Sequence, residues 1–291
     1  MKVTSHSEYL NLHSVYIKSV QSAFISKIQI NEQWQELNYL NQPDFDMALQ
    51  EYKLFEWILN DAKIELKYFP VNEKVKIDSI YCRDASIATD FGMIICNMGK
   101  EGRIHEPQSH LEEYKLNNIP ILGIIEAPGT LEGGDVAWLD EKTLAVGYTY
   151  RTNEAGISQL KSLLEPKDIE VIVVELPHYK GKKDVFHLMS IFSPVDKDLA
   201  VVFSPLMPIK FRNELLKRGF KFVEVPDEEF ESMGCNVLAT SPRSVIMLEN
   251  LPGVQRNLQN AGCDVQTYKG IEISRKGEGG PTCLTRPLKR N

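Results

Sequence analysis

A pattern of strand, strand, helix and strand returns about every 50 residues, and it limits the possible folds more than any other feature of the chain. SIATDFGMIICN (86–97) reads as a hairpin turning at Asp90-Phe91-Gly92, EPQSHLEEYKLNN (106–118) as a helix and IPILGIIE (119–126) as a strand. DVAWLDEKTLAVGYTY (135–150), turning at Asp140-Glu141-Lys142, opens a second unit, with its helix at 157–166 and its strand at 169–177. The third unit turns near Asp196-Lys197-Asp198, with a helix at 210–219 and a strand at 220–226. The fourth turns at Pro242-Arg243, with a helix at 254–262 and a strand at 263–270. The units barely match in residue identity, so the repeat is architectural. A fifth unit drawn from both ends of the chain, VYIKSVQSAF (15–24), the helix 46–62 and TCLTRPL (282–288), would close a ring and remove exposed sheet edges. The expected fold is α/β, a five-bladed propeller of ββαβ units. No Gly/Ser linker or low-complexity stretch interrupts it, so residues 1–291 read as one domain.

Composition narrows the partners. With 43% hydrophobic and 25% charged residues the chain can bury a sizeable core. A net charge of -7 argues against nucleic acid, and no basic block suits an anionic membrane. The first twenty residues lack the apolar core of a signal peptide, and no apolar run is long enough to span a bilayer. Five scattered cysteines without a Cys-x-x-Cys pair argue against a disulfide framework or a zinc site and fit reduced, cytoplasmic thiols. A small acidic or cationic molecule is the expected partner, and a homodimer is compatible with the composition.

The chain ends GEGGPTCLTRPLKRN, which holds Cys283 near the end of the last strand, behind a Gly-Gly-Pro bend. Such an approach suits a thiol presented for chemistry better than one packed for bulk. Three more polar clusters fall at strand ends: YCRDAS with Arg83 and Asp84, TLEGGDV with Glu132 and Asp135, and DVFHLMS with His187. In a ring of repeats these ends meet near the axis. Cysteine and histidine then form a nucleophile and its acid/base partner, and paired carboxylates suit a guanidinium, whose planar fork they match.

The ordered set RD, EGGD, RTN, HL and GGPTC resembles the guanidine-modifying superfamily of arginine deiminases, dimethylarginine dimethylaminohydrolases and amidinotransferases, over roughly residues 75 to 288. LEGGDV followed by VGYTYRTN is most similar to the dimethylaminohydrolase branch. The resemblance implies the five-bladed propeller (pentein) fold. It makes Cys283 the nucleophile, His187 the general acid/base and Glu132 the carboxylate that orients the substrate and supports His187. It gives Asp84 a grip on a guanidinium nitrogen, and Arg103 and Arg151 the substrate's α-carboxylate. Asp135 stands in the same substrate-facing cluster, with holding the GGD turn as its expected task. Asn236, in MGCNVLA, is a further pocket candidate, and the loop YKGKKD (179–184) stands where a lid would be. Met189 takes the place, two residues after the histidine, where deiminases and amidinotransferases carry an aspartate, which leaves room for an N-substituent. Thr282 stands where agmatine deiminases place a histidine.

The implied activity is hydrolysis of an Nω-methylated arginine, or of arginine, to citrulline and an amine through an S-alkylthiouronium on Cys283, with no metal or organic cofactor. An amidinotransferase with an amine acceptor is the alternative within the superfamily. A catalytically dead scaffold is the alternative outside it.

Overall fold

A computed structural model describes residues 2–291, with fifteen strands gathered in five separate three-stranded sheets. Four sheets are built in chain order. They are β3 (Ser86–Thr89), β4 (Gly92–Ile95) and β5 (Ile121–Ile124); β6 (Val136–Asp140), β7 (Thr143–Tyr148) and β8 (Glu170–Glu175); β9 (Phe192–Asp196), β10 (Leu199–Val202) and β11 (Lys221–Glu224); and β12 (Leu238–Ser241), β13 (Ser244–Leu248) and β14 (Asp264–Tyr268). In each, the first two strands form an antiparallel hairpin and the third lies parallel to the second. That parallel pairing demands a crossover, which a helix supplies. The fifth sheet joins the two ends of the chain. β1 (Leu12–Ile17) pairs antiparallel with β15 (Arg286–Arg290) and parallel with β2 (Glu65–Tyr68).

The crossover helices are α1 (Phe45–Asp61), α2 (Glu106–Leu116), α3 (Glu154–Leu164), α4 (Ile209–Lys217) and α5 (Pro252–Asn260). Their starts are legible locally. The Asp44 side chain accepts from the Met47 amide and the Asn153 side chain from the Gly156 amide, each satisfying an end donor the helix leaves open. α5 has no such residue of its own. The buried Glu229 carboxylate accepts from the Gly253 and Val254 amides instead, at 2.7 and 2.8 Å.

Burial follows the sheet order. Every residue of β3 and β4 is buried, whereas β8 alternates and keeps part of its surface in solvent. α3 turns Ile157, Leu160 and Leu164 inward against Trp138, Leu144 and Val146 of β6 and β7. Each such side chain contributes about 1.5–3 kcal/mol when fully buried. Side chains and amides tie neighbouring sheets together. Trp138 Nε1 donates to Ala88 O, Arg286 Nη1 to Ser86 O, and the Arg243 amide to Val195 O. No helix among the described residues is long and apolar enough to cross a membrane.

Candidate active site

Four loop segments bring the polar clusters together. Glu132 leads into the short turn Gly133–Asp135 ahead of β6, and the Gly133 amide donates to Asp84 O at 2.8 Å. Gly134 has to be glycine: a Cβ there would lie 2.5 Å from His187 Nδ1 and 2.8 Å from Asp84 Oδ1. His187 enters from the loop before β9. Cys283 lies in the turn three residues before β15, at the entry of the last strand rather than near its end as the sequence suggests. The Arg83 amide donates to Cys283 O at 3.2 Å and fixes that turn on the neighbouring sheet.

Glu132 is fully buried and completely partnered. Its Oε2 lies 2.8 Å from His187 Nε2, its Oε1 accepts from the Gly99 and Lys100 amides, and Arg151 Nη1 stands 3.6 Å away. Burial opposes ionisation, but the His187 hydrogen bond and the Arg151 charge prevail and hold Glu132 below the usual carboxylate range. Burial also opposes protonation of His187. The Asp135, Glu132 and Asp84 carboxylates outweigh it and hold the imidazole at about 9. At neutral pH the pair is therefore an imidazolium against a carboxylate. Asp135, pushed up to about 6 by burial, accepts from the Leu188 amide and from Thr149 Oγ1. It ties the two loops of the site together, and like Glu132 and Asp84 it stands behind the cavity lining.

Cys283 is the only half-buried cysteine; the other four are buried, and all five are free. Its Sγ accepts from Asn236 Nδ2 at 3.2 Å, while Asn236 Oδ1 takes the Thr282 amide and hydroxyl at 3.0 and 2.7 Å. Asn236 thereby orients the thiol, a stronger role than a turn residue. Burial pushes the thiol upward, and the Asn236 and Thr282 hydrogen bonds pull the other way. Cys283, His187, Asn236, Met189 and Gly134 line one cavity of about 70 Å³, room for a few waters. Tyr179, Lys180 and Asp184, from the loop singled out as a lid, form part of its wall with Phe186, Phe230 and Glu278. Phe230 and Glu278 carry no sequence signal, because they meet the site only through folding.

The two arginines expected on the substrate's carboxylate lie elsewhere. Arg103 is buried and closed into ion pairs, with Nη1 on Asp84 Oδ2 at 2.5 Å and Nε and Nη2 on Glu106 at 2.9 and 2.8 Å. Its Nη2 also donates to Tyr81 O. Four of its five N–H donors are thus spent inside the protein, two of them on Glu106, which faces it from the first turn of α2, three residues on. Arg151 opens on two neighbouring clefts, not on the Cys283 cavity, and its buried Nη1 lacks a hydrogen-bond partner. Asp84 spends one oxygen on Arg103 and keeps Oδ1, beside His187, unpartnered. Asp84, Glu132 and His187 bring potential ligand atoms within 4.8 Å of one another, the one such group among the described residues; two of those atoms already share the His187–Glu132 hydrogen bond.

The geometry is that of a cysteine–histidine–glutamate site in an α/β frame of five sheets, and comparison with known proteins places it. Residues 22–290 match the family "N,N dimethylarginine dimethylhydrolase, eukaryotic". The N(G),N(G)-dimethylarginine dimethylaminohydrolase of Pseudomonas aeruginosa is 26% identical over 252 residues, covering 85% of this chain and 91% of that one. An arginine deiminase of Mycoplasma capricolum is 26% identical, over 98% of this chain and 80% of its own length. Among solved structures, the P. aeruginosa enzyme in complex with citrulline superposes with a TM-score of 0.77 at 22% identity, over 96% of this chain and all of the other. An amidinotransferase of saxitoxin biosynthesis from Microseira wollei gives 0.79 at 16% identity, over 99% and 97%. These two likenesses establish a shared α/β fold. The class is thus the guanidine-modifying superfamily, whose hydrolases act on guanidino C–N bonds. Within it, the chain belongs to the N,N-dimethylarginine dimethylhydrolase family.

Proposed function

We propose that the chain is a cysteine hydrolase that converts an Nω-methylated arginine, or arginine, to citrulline and an amine. We take residues 1–291 as one catalytic domain and its five sheets as the blades of a five-bladed propeller. One observation carries the reading: a thiol held by Asn236 and an imidazolium held by Glu132 border the same small cavity.

The sequence of steps follows from those groups. A guanidinium entering beside the thiol lowers the cost of the thiolate that burial otherwise imposes, and the thiol proton passes to solvent because His187 already carries one. Sγ bonds to the guanidino carbon while the C=N π electrons move onto nitrogen, giving a neutral tetrahedral adduct; the Asp84 and Glu132 carboxylates stabilise the cations that precede and follow it. His187 delivers its proton to the leaving nitrogen, the C–N bond breaks, and an amine departs from an S-alkylthiouronium. His187, now neutral, takes a proton from water. Hydroxide adds to the same carbon, the C–S bond breaks to return the thiolate, and the hydroxyl proton passes to the departed amine or to solvent, leaving a urea group. The Asp84 oxygen without a partner is the one placed to grip a guanidinium N–H. Arg151 Nη1, which lies 3.6 Å from Glu132 but has no hydrogen-bond partner, is the remaining candidate for the tail carboxylate, while Arg103 serves as counter-ion to Asp84. Met189, in the cavity wall, is the side chain an N-methyl group would meet.

The test is product analysis on arginine, monomethyl- and asymmetric dimethylarginine, agmatine and guanidinoacetate, each with and without an amine acceptor. Citrulline from the methylated arginines supports the reading, and turnover that requires an acceptor makes the protein an amidinotransferase. Cys283→Ser is expected to lower turnover by at least about 1,000-fold. A fully active Cys283→Ser protein would sink the proposal.

A further inference from the structure

Behind the catalytic cavity, whose wall Arg83 shares, three arginines and one glutamate are buried together. Arg83, Arg286 and Arg290 are 1%, 4% and 1% exposed, and Glu8 is 6% exposed. Arg286 and Arg290 lie four residues apart on β15 and so share one face of that strand. Arg83 Nη2 donates to Glu8 Oε2 at 2.8 Å, and Arg286 Nη1 donates to Ser86 O at 2.8 Å. Arg290 Nη1 donates to Leu10 O. Arg83 binds Glu8, Arg290 binds Leu10 two residues on, and Arg286 Nη1 reaches Arg83 O at 3.4 Å, so the four groups are tied together through the N-terminal segment.

Two deficits remain. Glu8 is the only carboxylate in hydrogen-bond contact with these arginines among the described residues, so three positive charges face one negative charge. Four guanidinium nitrogens, Arg83 Nε and Nη1 and Arg290 Nε and Nη2, are buried without an acceptor. Water could accept those hydrogen bonds but would leave the charge uncompensated. Discharging an arginine is not an available escape, because guanidinium keeps its proton in proteins. A buried, unpaired ion costs several kcal/mol, and a counter-ion removes that cost.

We infer that this cluster is a binding site for a small inorganic monoanion, chloride being the abundant one, held by the free N–H groups of Arg83 and Arg290. A monatomic ion suits the site because all four side chains are at most 6% exposed, and a halide accepts N–H donors from any direction. The anion joins β15 to the segment after β2 and to the N-terminal residues around Glu8, the place where both chain ends meet the first sheet.

The experiment has two arms on the full chain. Thermal unfolding is followed in chloride, bromide, sulfate and gluconate at one ionic strength. A saturable rise in Tm of about 2–4 °C in chloride and bromide over gluconate is expected, and Arg290→Met should abolish it. Crystals grown in bromide should show an anomalous peak between Arg83 and Arg290, a readout that does not depend on how the variant folds. Stability that tracks ionic strength alone, or bromide crystals with only water at the cluster, overturns the inference.

Discussion

Two buried charge clusters sit within one fold and settle their imbalance in opposite ways. Around His187, the carboxylates Glu132, Asp135 and Asp84 outnumber the cations closest to them, and the histidine answers by holding a proton up to about 9. Nearly every oxygen there has a donor; Asp84 Oδ1 does not. Around Glu8 the excess is positive and no group can titrate to relieve it, so four guanidinium nitrogens stay unpaired. An acid-rich pocket with a titratable member can carry chemistry on a cation, because its protonation state moves with the reaction. An arginine-rich one cannot move protons, and its only relief is a bound anion. Buried charge therefore reads as function on one side and as a structural ligand site on the other.

Glu132→Gln would break the acid side most severely. Without that charge His187 falls back towards its ordinary value of 6.5, and kcat/KM should drop by about 10²- to 10⁴-fold. The same variant tests the linkage. A histidine raised to about 9 contributes stability that is complete below pH 6.5 and is lost as pH climbs through about 9. Urea unfolding across that window should slope downward in the wild type and flatten in Glu132→Gln; parallel slopes would refute the assignment.

Arg103→Ala and Arg290→Met sharpen the contrast, since both remove an equally buried arginine. Arg103 leaves Asp84 and Glu106 uncompensated, so denaturant unfolding should report a loss of about 3–5 kcal/mol. A raised KM at unchanged stability would instead return Arg103 to the substrate, as its sequence motif implies. Arg290→Met removes an excess charge and supplies apolar volume. In chloride-free buffer it should unfold within about 1 kcal/mol of the wild type. A cost as large as that of Arg103→Ala would mean that Arg290 already has a partner within the chain.

Much of this was legible from residues alone. The hairpin turns at Asp90-Phe91-Gly92 and Asp140-Glu141-Lys142, the crossover helices, and a fifth sheet drawn from both chain ends all appear in the structure where the repeat put them. Gly92, with φ at 123°, shows why: that conformation favours glycine whatever surrounds it, so the turn chemistry was written locally. Cys283, His187 and Glu132 were readable as a set because each sits in a distinctive local motif. Arg103 was misplaced, although Arg103-x-x-Glu106 at the start of α2 offered a clue that its partner lay next to it. Asn236 was named without its task, which is to hold a thiol 47 positions away.

The sequence by itself determined the α/β repeat and which residues could react, because strand and helix periods and turn preferences depend on near neighbours in the chain. Only the tertiary structure decided which charges pair: Asp84 with Arg103, His187 with Glu132, Glu8 with Arg83. Those choices depend on which loops different sheets bring together and on how completely water is shut out, and neither is a property of any short stretch of residues.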